Sequence, residues 1–265
     1  MKKIKTFLYK DIGILLCILF YICFLIIART VKPYLNGAGW YFFSSLQRTI
    51  FGLIELAIFV KIFHKNKWTD VINFRYFKSG ICAGSGLILY TVLLTIVIAI
   101  GIGSLIDTTF AILFSCLICQ QATTGFWEEL TFRAFMLEGY TNKNRRNWLC
   151  RLAYAGISFI IFGLVHAIER DNLTDAIDIF ITTGIFGFIF AAIYLYSHNI
   201  LVPMLLHFIY DIAANSQQFI DVWKEESRLF NVLNNYVLTA AFGLMLVISF
   251  VFVIKKPVYE QSNNG

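Results

Sequence analysis

Apolar residues fall into eight long stretches along this chain, at roughly 12–28, 41–62, 80–105, 110–139, 149–168, 177–197, 200–218 and 233–254. A helix needs roughly 20 apolar residues to cross the hydrocarbon core of a bilayer, whereas a barrel strand needs about ten with alternating polarity. Continuous runs of this length therefore predict an all-α, polytopic membrane bundle of about eight transmembrane helices. In the fourth stretch Thr123-Thr124-Gly125 is a place where a span could break or tilt, leaving seven spans and a re-entrant piece. No stretch remains for a soluble module, so residues 1–265 read as a single integral-membrane domain.

Composition agrees with this. Hydrophobic residues make up 58% of the chain and charged residues 14%, well below the roughly 25% charge of soluble domains. The basic start, Met1-Lys2-Lys3-Ile4-Lys5, resembles a signal peptide, but no small-residue cleavage site follows the first apolar run. It is expected to be an uncleaved first span.

Lysine and arginine set the orientation. With the N-terminus in the cytoplasm and eight spans, fifteen fall on cytoplasmic segments: Lys2, Lys3, Lys5, Lys10, Lys61, Lys65, Lys67, Arg75, Lys78, Lys143, Arg145, Arg146, Arg151, Lys255 and Lys256. Five fall outside: Arg29, Lys32, Arg170, Lys224 and Arg228. Most loop acids (Asp107, Glu169, Asp171, Asp175, Asp178, Asp221, Glu225, Glu226) also fall outside. Both termini are thus expected in the cytoplasm, and the net charge of +6 reflects this bias without calling for nucleic acid. The six cysteines match no disulfide framework or zinc ribbon. Gly80-x-x-x-Gly84 is a small-residue spacing that predicts close helix packing.

Against this apolar background, Glu128 and Glu129 stand out. A carboxylate at bilayer depth costs several kcal/mol unless the protein uses or pairs it. Glu129 and Arg133 are four residues apart and share a helix face, so they can pair; Glu128 points about 100° away. Two further spans carry His166 and His207, and His207 shares a face with Asp211. Counting 1.5 Å per residue from the flanking loops puts Glu128 and His166 roughly 20 Å from the cytoplasmic loop, and His207 about 13 Å in. Three spans thus bring polar groups to comparable depth.

A glutamate near two histidines suits hydrolysis, with the carboxylate taking a proton from water and a second group stabilising the oxyanion. Glu128, His166 and His207 would also hold a zinc ion with one open position. No H-E-x-x-H is present, which excludes a zincin helix.

The ordered set Glu128-Glu129…Arg133, Phe162…His166 and His207…Asp211 resembles the CPBP group of membrane proteins. That group includes the type-two CAAX prenyl proteases and the bacteriocin-processing or immunity (Abi) proteins. The resemblance covers about 127–211 and implies a catalytic core at about 110–215. It implies an intramembrane endopeptidase in which Glu128 and His166 activate a water while His207 and Asp211 stabilise the tetrahedral intermediate. Glu129, Arg133 and Phe162 would then be supporting residues. Ala134 stands where a glycine is usual, and Asp211 where asparagine is commoner; an ionised aspartate cannot donate a hydrogen bond, so its expected role is to orient His207 or to stay protonated. The resemblance leaves open a metal-free or a zinc-dependent mechanism. A membrane-associated peptide or protein substrate, acted on in a bacterial plasma membrane, is the expected partner. The other readings are a non-catalytic immunity or partner-binding membrane protein, and a proton-coupled transporter using the two glutamates as a relay.

Overall fold

A computed structural model describes residues 2–35, 37–64, 67–105, 110–137, 147–168, 170–223 and 228–261. Of the residues that entered the charge count, Lys65, Asp107, Lys143, Arg145, Arg146, Glu169, Lys224, Glu225 and Glu226 lie outside the described residues.

Each of the eight apolar stretches is built around helix. They are α1 (Lys2–Val31), α2 (Gly37–Phe63), a pair formed by α4 (Phe77–Ala83) and α5 (Ser85–Gly101), α6 (Phe110–Glu129), α7 (Trp148–Ala167), α8 (Leu173–Ser197), α9 (Leu201–Asn215) and α11 (Leu238–Ile254). The short helices α3 (Trp68–Val71), α10 (Arg228–Val232) and α12 (Val258–Gln261) complete the set. Among the described residues, four helical segments are long and apolar enough to cross a membrane by themselves, and five if the bent pair α4–α5 counts as one span.

Two features depart from the expected pattern. The helix runs without interruption through Thr123-Thr124-Gly125, because the threonine hydroxyls bond back to the carbonyls of Cys119 and Gln120 and the backbone ladder stays intact. The break falls in the third stretch instead, where α4 and α5 meet at Gly84 with a 62° bend. In addition, α5 stops at Gly101, and β1 (Ile102–Leu105) pairs antiparallel with β2 (Ile220–Trp223). Glycine is a poor helix residue, and Gly101 and Gly103 end the helix before the apolar run ends.

α8 lies at the centre, with every residue from Ile189 to Ser197 buried. It packs along α7, where Ser158 Oγ donates to the Gly187 carbonyl at 2.9 Å. A Cβ on Gly187 would sit 2.8 Å from the Ser158 carbonyl oxygen, so only glycine lets the backbones approach this closely. Gly80 and Gly84 behave as their spacing predicts, packing against Ser197 and Val202 and against Leu206 and Ile193. Asn147 and Asn172 cap α7 and α8 by accepting from the backbone N–H groups of Leu149 (2.9 Å) and Asp175 (2.8 Å), each worth about 1 kcal/mol. At one end of the bundle the buried Arg151 donates to the carbonyls of Val253, Ile254 and Lys255, neutralising the C-terminal end of α11.

Candidate functional site

The site begins where α6 approaches α9. Gly125 makes this contact possible: a Cβ there would lie 2.9 Å from the Met204 carbonyl oxygen and 3.6 Å from His207 Cβ. One turn further on, Glu128 and Glu129 therefore face His207. Immediately after Glu129 the helix widens into a π-helical segment, Leu130–Phe135, a feature that often marks functional positions in helices.

Glu129 and Arg133 are fully buried and paired, with Arg133 Nε 3.1 Å from Glu129 Oε2. The guanidinium sits between two aromatic faces, 4.6 Å from the Phe162 ring centre and 5.2 Å from that of Phe190, so cation–π attraction offsets part of its desolvation. Glu129 does more than support its helix. Its Oε1 accepts from His207 Nδ1 at 2.8 Å. The other ring nitrogen of His207, Nε2, lies 3.4 Å from Asp211 Oδ2 and 3.8 Å from Glu128 Oε2. Phe190 stacks on the His207 ring at 4.6 Å. His207 is thus fixed by an acid at each nitrogen and an aromatic face.

His166 stands in the last turn of α7 and is half-buried. Its Nδ1 donates to the Phe162 carbonyl at 2.8 Å, which leaves Nε2 for the cavity. Tyr21 steadies this end of α7 by donating to the Val165 carbonyl at 2.8 Å. Glu128, Phe162, His166, His207 and Asp211 all line one cavity of about 390 Å³. The structure brings every residue of the expected catalytic set to this single space.

Several residues of the site carry no motif in the sequence. Arg48, Gln120, Gln121 and Phe190 line the same cavity, and Arg48 is close enough to act on Asp211 through its charge. Behind α6, the fully buried Glu55 of α2 accepts from Trp127 Nε1 at 3.0 Å and meets Thr131 Oγ1 at 2.7 Å. Arg48 and Glu55 are ionisable residues inside an apolar stretch, the same signal that marks Glu128.

Among the described residues no group of three or more His, Cys, Asp or Glu side chains is arranged to hold a metal ion, and both nitrogens of His207 face carboxylates.

Two acids, Glu128 and Asp211, and two histidines, His166 and His207, thus meet at one cavity of a helical bundle. Residues 109–213 match the family model of type II CAAX prenyl endopeptidase Rce1-like proteins. Through this segment the chain is similar to the CPBP/CAAX protease family. No curated protein and no solved structure matches the chain significantly.

Proposed function

We propose that the chain is an intramembrane endopeptidase that hydrolyses a peptide bond of a membrane-associated peptide or protein with water activated by Glu128 and His166. All eight helical stretches cross the bilayer in this reading, both termini are cytoplasmic, and the membrane is a bacterial plasma membrane. The observation that carries the reading is the convergence of Glu128 Oε2 and Asp211 Oδ2 on His207 Nε2, at 3.8 and 3.4 Å, in the cavity that His166 also lines.

The chemistry follows from the donors and acceptors. Water sits between Glu128 and His166, and Glu128 takes its proton as the oxygen attacks the substrate carbonyl carbon. The carbonyl π electrons move to oxygen, and the resulting oxyanion faces His207. A ring flanked by carboxylates at both nitrogens is best satisfied as the doubly protonated imidazolium, so its Nε2–H is the donor that the oxyanion meets. Before the reaction Asp211 accepts from that N–H and orients the ring, and the oxyanion then replaces it as acceptor; Asp211 need not donate, which accommodates aspartate where asparagine is commoner in the family. The intermediate collapses, the C–N bond breaks, and Glu128 returns its proton to the leaving nitrogen. A carboxylate and an amine are released.

Glu128→Gln keeps the size and most hydrogen bonding but cannot accept the water's proton, and loss of a general base costs about 100- to 10,000-fold in rate. The test is cleavage of a reporter peptide by the reconstituted protein, normalised to folded protein. Near wild-type cleavage by both Glu128→Gln and His166→Ala would replace the protease with a non-catalytic partner-binding scaffold.

A further inference from the structure

The cavity belongs to one end of the bundle. Its residues on α7 and α9 come from the C-terminal halves of those helices, Phe162 and His166 on the first and His207 to Asn215 on the second. On α2 and α8 the lining starts in the N-terminal half, with Arg48 on the first and Ile179, Thr182 and Thr183 on the second, and reaches inward to Phe186 and Phe190. Neighbouring helices run in opposite directions, so the cavity reaches from the end that holds the α7–α8 connection, the end of α9 and the β1–β2 pair inward to Glu128, in the C-terminal half of α6. Tyr41, near the start of α2, donates to Gln218 just before β2, which ties the start of α2 to that end as well. His166 lies about 27 Å along α7 from Trp148, one residue before the helix stops. It is much nearer one interface than the count from the loops suggested.

The two ends differ in charge. Among the described residues, the end away from the cavity carries Lys2, Lys3, Lys5, Lys10, Lys61, Lys67, Arg75, Lys78, Arg151, Lys255 and Lys256 against Asp11, Asp70 and Glu260. The cavity end carries Asp171, Asp175 and Asp178 with Arg29, Lys32 and Arg170. An excess of lysine and arginine marks the cytoplasmic face. The cavity therefore opens away from the cytoplasm.

We infer that the site takes its substrate from the extracytoplasmic side: an unfolded peptide segment at, or just above, the outer leaflet. This inference rests on the protease reading for the word substrate, and on the charge asymmetry for the side. The lining suits an extended backbone, since Gln120, Gln121, Thr124, Thr182, Thr183 and Asn215 offer amide and hydroxyl groups to peptide N–H and C=O groups that have lost water. A prenylated tail delivered from the cytosol would meet the basic end, away from the cavity that holds Glu128, where the buried Arg151 is bonded to the α11 carbonyls.

Two measurements on the full chain in membranes test this. In a chain with its native cysteines replaced, Asn215→Cys and Lys67→Cys are exposed to a membrane-impermeant maleimide. Labelling of Asn215→Cys in intact cells, with Lys67→Cys labelled only in inverted vesicles, is the expected result; the reverse overturns the assignment. The second measurement applies a mixture of water-soluble quenched-fluorescent decapeptides to right-side-out and inverted vesicles, with Glu128→Gln as the blank. Cleavage confined to right-side-out vesicles supports the inference. Cleavage confined to inverted vesicles, including cleavage of a farnesylated CAAX peptide there, overturns it. If neither vesicle type nor detergent-solubilised protein cleaves the mixture, the labelling decides the side by itself and the protease reading is what fails.

Discussion

Glu129 holds His207: its Oε1 accepts from Nδ1 at 2.8 Å across the α6–α9 interface, while its Oε2 faces Arg133 Nε at 3.1 Å. One carboxylate thus aims the proposed oxyanion donor and neutralises a buried guanidinium. Replacing it with glutamine leaves an acceptor for His207 but strands the charge of Arg133. Breaking a buried pair in this way typically costs about 3–5 kcal/mol. Glu129→Gln should therefore lower thermal stability in detergent and cleavage together. Adding Arg133→Met should recover part of the stability and little of the activity. Equal recovery of both would reduce Glu129 to a purely structural residue.

Glu55 shows a different economy of protons. Thr131 Oγ1 lies 2.7 Å from Glu55 Oε2 and 2.9 Å from the Trp127 carbonyl, but a hydroxyl has one proton to give. All three contacts are satisfied if the Glu55 acid donates to Thr131, Thr131 donates to Trp127, and Trp127 Nε1 donates back to Glu55. Glutamine reproduces that pattern with its amide. Glu55→Gln should therefore keep full activity and fold, while Glu55→Leu, which unpairs the buried Trp127 N–H, should lose about 1–3 kcal/mol of stability. Reporter cleavage alongside a thermal melt separates the two, and loss of turnover in a well-folded Glu55→Gln would make Glu55 an ionised partner in the reaction.

Gly125→Ala is the smallest change that should separate the acids from His207. The added methyl would meet the Met204 backbone carbonyl at 2.9 Å, and backbone cannot swing aside as a side chain can. Overpacking of this kind costs about 1–3 kcal/mol. Folded protein should still accumulate while kcat falls at least tenfold. Unchanged kcat would show that the α6–α9 spacing is not critical to the chemistry.

A metal-free reaction makes a direct prediction. Purified protein should retain its activity after treatment with a strong chelator and should carry well under one equivalent of zinc. Stoichiometric zinc that disappears in both His166→Ala and His207→Ala would place a metal at those residues.

The helices are legible in the sequence because apolar length alone demands them, and the within-helix pairs Glu129–Arg133 and His207–Asp211 follow from four-residue spacing. Spacing cannot report a contact between helices, and for that reason the Glu129–His207 bond has no signature in the chain. The ends of helices are hidden for another reason: Gly84, Gly101 and Gly103 interrupt helices without lowering the hydrophobicity of their stretches. The expected break at Thr123-Thr124-Gly125 does not occur because threonine can satisfy its hydroxyl within the helix, and the glycine there serves packing.

The wide turn at Leu130–Phe135 carries an implication for comparing such chains. A π segment holds one residue more than the α-helix it interrupts. Deleting Leu130, Thr131 or Phe132 would let the helix close to regular geometry with its two flanks still in phase, but would bring Arg133 from four residues after Glu129 to three. The shortened protein would keep nearly the same hydropathy profile and the same span boundaries. Two relatives could thus look interchangeable in profile while only one keeps the four-residue spacing of Glu129 and Arg133.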